Sequence, residues 1–572
     1  MTAKTVDIKD ADGNVSPVTV RYTYDFAAGN KIKQIDGRGN VTEFKHDLLD
    51  RVVKEINPDQ TDKEYQYDDY KNIAFVTDEK NNQTIYYYDG LGKLVKVTEP
   101  QLKIDLVNLK YDDLENVVQE INPKQNYKEY TYDQANRLIK IGHYNRQAQN
   151  LAETQIGYDE AVNDKTGLTV QKITVTKKAD PGKKDLVTNY YFDSFDRLLK
   201  QGRVQGNQEH FEKHFYDYLG NRTEAVDPKG NRTKFAYDGL GRLQQVTNAL
   251  GKSERYAYDF IGNQVAHTDP LGITTRVEYD GLGRVIVQKA PFKPGVYSVS
   301  KRYYDEAGNL AETVDPEGAV TKYRYNRRNL LTAVEKAINA RESDVTKYEY
   351  DAAGNRTEVH KGLSSVFGNP KAVTRYEYDS LGRISSFTDP MGKKETYEYD
   401  ANGNLINTVD RNGNKIDFTY DGLDRLVKKQ AVYDGQAEKV EFSYDKLGKR
   451  TKMEDSSGIT SYEYDDLGRL GKISRNNCIS LAYSYDLLDR KQGMTLSQTG
   501  EKHLDIRYAY DKIGKLTRVN EQGRNVRYQY DDANRLLTQI NDVTGVETKY
   551  NYNSGGMMTG LLNKKGDEII AH

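Results

Sequence analysis

The chain has 572 residues, with 46 tyrosines, 46 glycines and no tryptophan, and only 36% of it is hydrophobic. Its 84 basic and 86 acidic residues leave a formal net charge of −2, which argues against a protein that binds nucleic acid or a membrane surface. The single cysteine, Cys478, excludes a disulfide framework and a thiolate metal site. No apolar run approaches the ~20 residues that a membrane helix needs.

Residues 1–23 alternate polar and apolar side chains and predict one starting hairpin. A Tyr-Asp pair or a close variant then recurs at a spacing of roughly 21–23 residues. The first copies begin at Tyr24, His46, Tyr67, Tyr88, Tyr111 and Tyr132. Between 134 and 215 the spacing loosens, and we expect copies at Tyr158 and Phe192 with a turn near 180–182.

Regular spacing then returns for the rest of the chain. The later copies begin at Tyr216, Tyr237, Tyr258, Tyr279, Tyr304, Tyr325, Tyr350, Tyr378, Tyr399, Tyr420, Tyr444, Tyr464, Tyr485, Tyr510, Tyr530 and Tyr552. About two dozen copies in one series, without a linker between them, predict one continuous repeat structure.

Each copy has the composition of two short strands and two tight turns. In the turn 238–241, Asp238 can accept a bond from the backbone two residues on, and Gly241 supplies a positive φ. The turn 269–272 uses the same pattern with Pro270 at its second position. The segments 242–247 and 252–258 between turns have strand length and strand composition.

The copies that lack glycine at the fourth turn position support the prediction that this residue has a left-handed backbone conformation. The substitutes are usually the non-glycine residues that best tolerate that conformation, namely Asp50, Asn136, Asp196, Asn329, Asp424, Asp489 and Asn534. Lys71, Glu115 and Val162 are exceptions to the pattern.

The best-formed copies define the structural repeat motif. We assign to it Tyr216, Asp217, Gly220, Tyr237, Asp238, Gly241, Arg242, Tyr258, Asp259, Gly262, Asp269, Pro270, Gly272, Tyr279, Asp280, Gly283, Arg284, Tyr378, Asp379, Gly382, Tyr399, Asp400, Gly403, Tyr464, Asp465 and Gly468.

The predicted fold class is all-β, a long strip of antiparallel hairpins. A strip of roughly 48 strands would run about 230 Å if it stayed flat, and strand twist forces such a strip to curl. We therefore expect a spiral wall that encloses space, as a hollow cocoon or a barrel-like shell. Leu243 and Val246 differ in parity, which leaves the inward face undecided, although a β-bulge could reconcile them.

Other chemistry has weak signals in this chain. His210, Glu212 and His214 could suggest zinc, but in a strand context they are better explained as surface polar residues. The turn aspartates lack a repeated calcium signature, and no nucleophile with a neighbouring base stands out. Rows of aromatic and basic residues could stack sugars, but cross-strand packing explains them better. We therefore expect no enzyme, no metal and no cofactor.

The repeated Tyr-Asp-x-x-Gly-Arg-Leu pattern at 237–243, 378–384 and 464–470, with Asp-Pro-x-Gly turns such as 227–230 and 389–392, resembles the Rhs/YD-repeat family. Its members include bacterial Rhs polymorphic toxins, the cocoon-forming subunits of Tc toxins, wall-associated proteins and teneurins. The resemblance implies a hollow β-cocoon that, in toxin members, holds a C-terminal toxic domain.

The resemblance also divides the chain. We expect a lead-in hairpin over 1–23, a continuous YD-repeat shell over 24–556, and a tail over 557–572 without a recognisable core, cleavage motif or toxin domain. The implied function is a non-enzymatic shell around a polypeptide cargo such as a toxin domain, or a fragment of such a protein. The alternative is a surface adhesion module that binds glycans or proteins. The start MTAKTVDIKD does not read as a signal peptide, and family resemblance implies a secreted or cell-surface location without membrane insertion.

Overall fold

The computed structural model describes residues 2–163, 169–293, 295–338, 342–364, 372–433, 436–553 and 555–571. Within these ranges the regular structure consists of fifty β-strands and no helix. The strands belong to one antiparallel sheet, in which strands pair with their neighbours along the chain, as β20 does with β21 and β21 with β22. The predicted all-β hairpin strip is confirmed.

The first strands are β1 (Thr2–Lys9), β2 (Val15–Tyr24), β3 (Lys31–Ile35), β4 (Val41–His46), β5 (Val52–Ile56), β6 (Asp62–Asp68), β7 (Ile73–Thr77), β8 (Gln83–Tyr88), β9 (Leu94–Glu99), β10 (Ile104–Tyr111), β11 (Val117–Ile121), β12 (Tyr127–Tyr132), β13 (Leu138–Tyr144), β14 (Asn150–Asn163), β15 (Thr169–Lys177), β16 (Leu186–Phe192) and β17 (Leu198–Gln205). The middle strands are β18 (Gln208–Tyr216), β19 (Arg222–Val226), β20 (Arg232–Tyr237), β21 (Leu243–Thr247), β22 (Ser253–Tyr258), β23 (Gln264–Thr268), β24 (Thr274–Tyr279), β25 (Val285–Lys293), β26 (Val296–Tyr304), β27 (Leu310–Val314), β28 (Val320–Tyr325), β29 (Leu331–Ala337), β30 (Ser343–Tyr350), β31 (Arg356–Ser364), β32 (Ala372–Tyr378), β33 (Ile384–Thr388) and β34 (Lys394–Tyr399). The last strands are β35 (Leu405–Val409), β36 (Lys415–Tyr420), β37 (Leu426–Tyr433), β38 (Gln436–Tyr444), β39 (Arg450–Asp455), β40 (Gly458–Tyr464), β41 (Leu470–Arg475), β42 (Ile479–Tyr485), β43 (Lys491–Gln498), β44 (Glu501–Tyr510), β45 (Leu516–Glu521), β46 (Arg524–Tyr530), β47 (Leu536–Asn541), β48 (Val546–Tyr552), β49 (Met558–Lys565) and β50 (Glu568–Ala571).

A β-bulge at the Tyr-Asp turn 238–241 resolves the parity problem of the sequence. Tyr237 pairs with Leu243, but Ala236 pairs with Gln245, so the register skips residue 244. Since Val246 pairs with Phe235, Leu243 and Val246 come to lie on the same face. A residue in the left-handed conformation followed by a bulge is a common way to close a short hairpin loop.

One expected turn is wrong. Tyr158 and Asp159 do not open a turn, because both lie inside β14, which pairs with β15 over a long hairpin. Val162, the fourth position of the expected turn, also lies in this strand. It is not a residue that favours the left-handed region, so the chain continues as strand at this point.

The chain divides into two compact units. Unit 1 consists of Met1–Lys128, Val277–Lys289 and Val299–Glu438, and unit 2 consists of Glu129–Arg276, Ala290–Ser298 and Lys439–His572. Each unit therefore combines an earlier stretch of the chain with a later stretch, 1–128 with 299–438 in unit 1 and 129–276 with 439–572 in unit 2, and more than 160 residues separate the two stretches.

The apolar core is thin in both units. Among the described residues the buried hydrophobic side chains are Ile8, Val97, Val170, Tyr191, Val226, Ile286, Val287, Ala333, Val359 and Ala431. Strand residues are mostly half-buried, which is the expected result when one sheet layer is not covered by helices or a second sheet.

Candidate functional site

The turn that follows each Tyr-Asp pair, here called the YD turn, is held by its own aspartate. In the turn 238–241, Asp238 Oδ1 accepts the backbone N–H groups of Leu240 and Arg242, both at 3.0 Å. The N–H of Gly241 donates to the Asp238 carbonyl oxygen at 3.0 Å, and the N–H of Asp238 donates to the Arg242 carbonyl oxygen at 2.9 Å. One side chain and the backbone of this turn thus satisfy four donors in a few residues.

The fourth position of the YD turn has a positive φ, as the sequence predicts. Gly241 has a φ of 75°. The seven non-glycine substitutes have φ values between 58° and 66°, and they are Asp50, Asn136, Asp196, Asn329, Asp424, Asp489 and Asn534. Of the three exceptions, Glu115 takes the left-handed conformation itself with a φ of 71°, whereas at 68–72 the left-handed residue is Asn72 rather than Lys71.

The arginine after the turn joins one copy to the next. Arg242 Nε lies 2.7 Å from Asp238 Oδ2, and its guanidinium carbon lies 4.9 Å from the centre of the Tyr258 ring. Arg242 Nη1 also donates to the carbonyl oxygen of Asp259 at 2.7 Å. An arginine stacked on an aromatic ring and bound to a carboxylate is pre-organised, so these contacts fix neighbouring YD turns side by side.

The tyrosine of the motif ties its strand end to the preceding hairpin. The hydroxyl of Tyr258 donates to the backbone carbonyl oxygen of Leu243 at 2.8 Å. The same bond, to the residue that opens the previous bulged strand, recurs at Tyr216, Tyr237, Tyr378, Tyr399 and Tyr464. Tyr158 also makes it, to Leu138 at 3.1 Å, although no turn follows this residue.

The residues assigned to the motif lie in a series of separate turns and not in one pocket. The YD turns place Asp217 with Gly220, Asp259 with Gly262, Asp280 with Gly283, Asp379 with Gly382, Asp400 with Gly403, and Asp465 with Gly468. Tyr279 ends β24 before Asp280, and Arg284 Nη2 lies 2.6 Å from Asp280 Oδ2. At the other end of the hairpin, the turn Asp269, Pro270, Leu271 and Gly272 repeats the same backbone bonds. We call this other kind of turn the second turn.

The turn carboxylates are mostly stabilised as anions. The backbone N–H of Arg242 lowers the pKa of Asp238 below its usual value. Burial raises the pKa of Asp486, but hydrogen bonds from Lys229 and Arg490 outweigh it and bring the pKa to about 2. Asp445 differs, because burial raises its pKa above the usual value.

In unit 1, second turns of the earlier stretch pack on YD turns of the later stretch. The third residue of the second turn is basic at each of three contacts: Arg38 Nη1 lies 3.5 Å from Asp305 Oδ2, Lys80 Nζ 3.1 Å from Asp351 Oδ2, and Lys124 Nζ 3.0 Å from Asp400 Oδ2. The backbones also touch, since a Cβ on Gly37 would fall 1.7 Å from the carbonyl oxygen of Glu306. We call these basic contacts latches.

Unit 2 contains the same kind of latch. Lys229, the third residue of the turn 227–230, places its Nζ 2.9 Å from Asp486 Oδ2, and Asp486 is the first residue of a YD turn. Lys252 and Lys184 reach Asp532 and Asp466 in other YD turns, at 2.8 and 2.5 Å. Because these residues are far apart in sequence, the latches hold each pair of stretches in one register.

Two groups of side chains have the composition of metal ligands. The first group is His210, Glu212 and His214, which we expected to be surface polar residues; this is wrong for His214, which is buried. Burial lowers the pKa of His214, and its Nε2 lies 3.9 Å from Glu212 Oε1. In the second group, His360 Nε2 lies 2.9 Å from Glu358 and 3.4 Å from Glu349. Arg375 Nε donates to Glu358 at 2.9 Å, so an ion-pair network accounts for this group.

Sequence reasoning missed the latches. The signal was present, since a basic residue at the third position of a second turn occurs at Arg38, Lys80, Lys124 and Lys229, all in the earlier stretches. Their partners follow after more than two hundred residues, a distance that a local turn pattern does not reveal.

Fold and turns together define a protein built of YD-repeat hairpins, and the comparison with known families agrees. The teneurin YD-shell family matches residues 273–438, 359–503 and 431–571, which together exceed half of the chain, and the RHS repeat family matches residues 216–253. The chain therefore belongs to the Rhs/YD-repeat family. Teneurin-1 of Mus musculus is 28% identical over 127 residues, which cover 21% of this chain and 4% of teneurin-1.

Solved structures share the fold at low sequence identity. The crystal structure of TcdB2-TccC3 without hypervariable C-terminal region matches 99% of this chain with a TM-score of 0.69 at 12% identity. The crystal structure of TcdB2-TccC3 matches 98% with a TM-score of 0.60 at 15% identity. This chain covers 39% and 35% of those two chains, and so spans well under half the length of each. Among the described residues, no helix has the length and apolar character that a membrane span requires.

Proposed function

We propose that this chain is a non-enzymatic structural shell, or a part of one, whose sheet encloses and protects a polypeptide such as a toxin effector domain. The observation that carries the proposal is the exposed area of the chain, which has 33341 Å² of accessible surface. A compact protein of 65.3 kDa has about 21,000 Å². One sheet layer with both faces accessible accounts for the excess.

Contacts between the turns at the ends of the strands stabilise the sheet, in addition to the packing of side chains on its faces. YD turns are joined by arginine and tyrosine contacts such as those of Arg242 and Tyr258, and latches such as Lys124–Asp400 join distant stretches within a unit. A wall held in this way does not need a filled interior. The enclosed space is then free for a second polypeptide, and the fold that this chain shares with the TcdB2-TccC3 structure, at a TM-score of 0.69, supports a shell of this kind.

Protection from proteolysis tests the proposal. A protease-sensitive polypeptide of low structure is fused after His572, and its cleavage by a non-specific protease is compared with that of the same polypeptide on an unrelated carrier. We expect cleavage to slow at least about tenfold, because an enclosed segment is cut only after the wall opens.

A matched variant separates enclosure from slow cleavage in general. Replacing Lys124 and Lys229 by Glu places like charges against Asp400 and Asp486 and should open the latches, so protection should be lost while the circular dichroism of the sheet remains. Equal cleavage on the unmodified chain and on the unrelated carrier would contradict the shell function and leave surface binding of glycans or proteins as the better explanation.

A further inference from the structure

One face of the sheet in unit 2 carries a row of basic side chains. The residue three positions before the motif tyrosine is basic in four successive copies, at Lys213, Lys234, Arg255 and Arg276. All four side chains are exposed, and they lie on β18, β20, β22 and β24. We call them the basic row. Because side chains alternate along a strand, the basic row and the motif tyrosines lie on opposite faces of the sheet.

The strands between these copies place uncharged side chains beside the row. Gln245 of β21 pairs with Arg255 on one side, and Thr268 of β23 pairs with it on the other. Directly paired residues of antiparallel strands point to the same face. Arg255 Nε donates to Gln245 Oε1 at 3.2 Å, and this neutral acceptor leaves the charge of the guanidinium uncompensated.

Acidic side chains are scarce on the face that carries the basic row. From residue 213 to residue 276, a range that the structure describes throughout, Glu224 is the one acidic residue that the strand register places there. It pairs with Lys234, and it is bound by Arg232, a further cation of the same face. The face therefore presents more positive than negative charge to solvent.

Unit 1 has basic residues at the same strand position, but its intervening strands neutralise them. Lys322 is paired with Glu312 on one side and with Glu335 on the other. Arg375 Nε donates to Glu358 Oε1 at 2.9 Å. The excess of positive charge in unit 2 thus results from the strands between the copies, and unit 1 provides a matched control.

The geometry of the basic row favours a linear ligand with spaced negative charges. Lys234 and Arg255 are two strands apart, which is about 10 Å across the sheet. On the strand between them, Lys234 pairs with Thr247. Arg255 pairs with Gln245, two residues earlier on that strand, so the offset along the strands is about 7 Å. Successive cations are therefore about 12 Å apart, a distance that an extended peptide covers in about four residues.

The side chains around the basic row favour carboxylates on a polypeptide over a sugar or a base. Between residues 234 and 276 the aromatic side chains of the strands lie on the other face, as Tyr256 does, and the small Ala257 lies on the face of the row. Sugars and bases commonly bind by stacking on exposed aromatic rings. Hydroxyl groups such as those of Thr247 and Ser253, which are 2.8 Å apart, place hydrogen-bond donors next to the cations.

We propose that the basic row binds an extended acidic polypeptide segment that crosses the strands of unit 2 and carries Asp or Glu at every fourth position. Residues four apart in an extended chain point to the same side, so each carboxylate can meet one cation of the row. The site requires an accessible face and not an enclosed space. It therefore goes beyond the shell function, and binding can hold even where protection from proteolysis fails.

A synthetic peptide tests the proposal with the full chain. The peptide has Glu at positions 1, 5, 9 and 13, Gly or Ser at the other positions and a fluorophore at one end, and its anisotropy is followed as the chain is added in low salt. We expect saturable binding that weakens steeply as salt is added, because salt screens exposed charges. A peptide with Gln in place of each Glu should not bind.

Two matched variants locate the site. The double variant Lys234→Gln and Arg255→Gln should weaken binding about fivefold or more, since each exposed ion pair contributes about twofold to fivefold. The double variant Lys322→Gln and Arg375→Gln changes the same strand position in unit 1 and should bind the peptide as the unmodified chain does. Circular dichroism confirms that both variants keep the sheet.

Three results would overturn the proposal. One is the absence of binding by the glutamate peptide in low salt. Another is an equal affinity of the two folded variants for the peptide. The third is tighter binding of a uronic acid oligosaccharide with four carboxylates than of the peptide, which would assign the basic row to an anionic glycan.

Discussion

The latch between Lys229 and Asp486 provides the sharpest test of how distant stretches are held together. The perturbation is Lys229→Met, which keeps most of the side-chain volume and removes the charge. The Asp486 side chain is 6% exposed and lies 2.9 Å from Lys229 Nζ, while Arg490 remains as a second partner at 2.7 Å. The variant therefore weakens a nearly buried ion pair without leaving its carboxylate alone.

The size of the effect follows from the pKa of Asp486. Burial raises this pKa, yet the donors around the carboxylate bring it to about 2, against an ordinary value of 3.8. A shift of that size corresponds to about 2 kcal/mol of stabilisation, which Lys229 shares with Arg490 and two backbone N–H groups. We expect Lys229→Met to lower the free energy of unfolding by about 1 kcal/mol.

The effect should depend on pH in a defined direction. The folded pKa of Asp486 lies below its unfolded value, so its contribution is present above about pH 4 and is lost as the pH falls through about 2. The difference between Lys229→Met and the unmodified chain should therefore be complete at neutral pH and shrink in strong acid.

Urea unfolding at neutral and acid pH, combined with hydrogen exchange of β42 and β43, measures this difference where the latch sits. The control is Lys452→Met, which removes an exposed pair with Glu454 in the same unit and should change stability by less than about 0.5 kcal/mol. The reasoning is refuted if Lys229→Met behaves like this control, or if its effect does not change with pH.

Three further substitutions test the repeat itself by urea or thermal unfolding. Asp193→Ala removes the acceptor of two backbone N–H groups and of Arg197 Nε, and should cost about 1–2 kcal/mol; an unchanged midpoint would show that the YD turn does not need its aspartate. Tyr216→Phe removes the hydroxyl bond to Leu198 and should cost about 1 kcal/mol, whereas no loss would assign the tyrosine to packing alone. Glu115→Gly should stabilise the chain by roughly 1 kcal/mol because Glu115 has a φ of 71°, and a loss of stability there would contradict the strain argument.

The sequence predicted the local structure well because each turn is decided by a few neighbouring residues. Asp424 and Asn534 were recognisable as left-handed residues, since few other side chains tolerate that backbone conformation. The sequence predicted the bulge after residue 243 only as one way to bring Leu243 and Val246 to the same face. Its position could not be predicted, because it depends on how this strand pairs with its neighbour. The turn predicted at Asp159 is wrong, since β14 continues through this residue.

The contacts between distant stretches could not be predicted in the same way. Lys124 and Asp400 are separated by 276 residues, and their meeting depends on accumulated strand twist along the whole intervening sheet. The carbonyl oxygen that the hydroxyl of Tyr258 contacts could not be predicted either, because its position depends on the bulge of the preceding hairpin.

An electron cryo-microscopy map of the purified chain tests the central claim most directly. The account predicts a wall one sheet thick around an internal space, with YD turns of one stretch seated on second turns of another. A filled interior, or an extended ribbon in which the stretches do not meet, would contradict it.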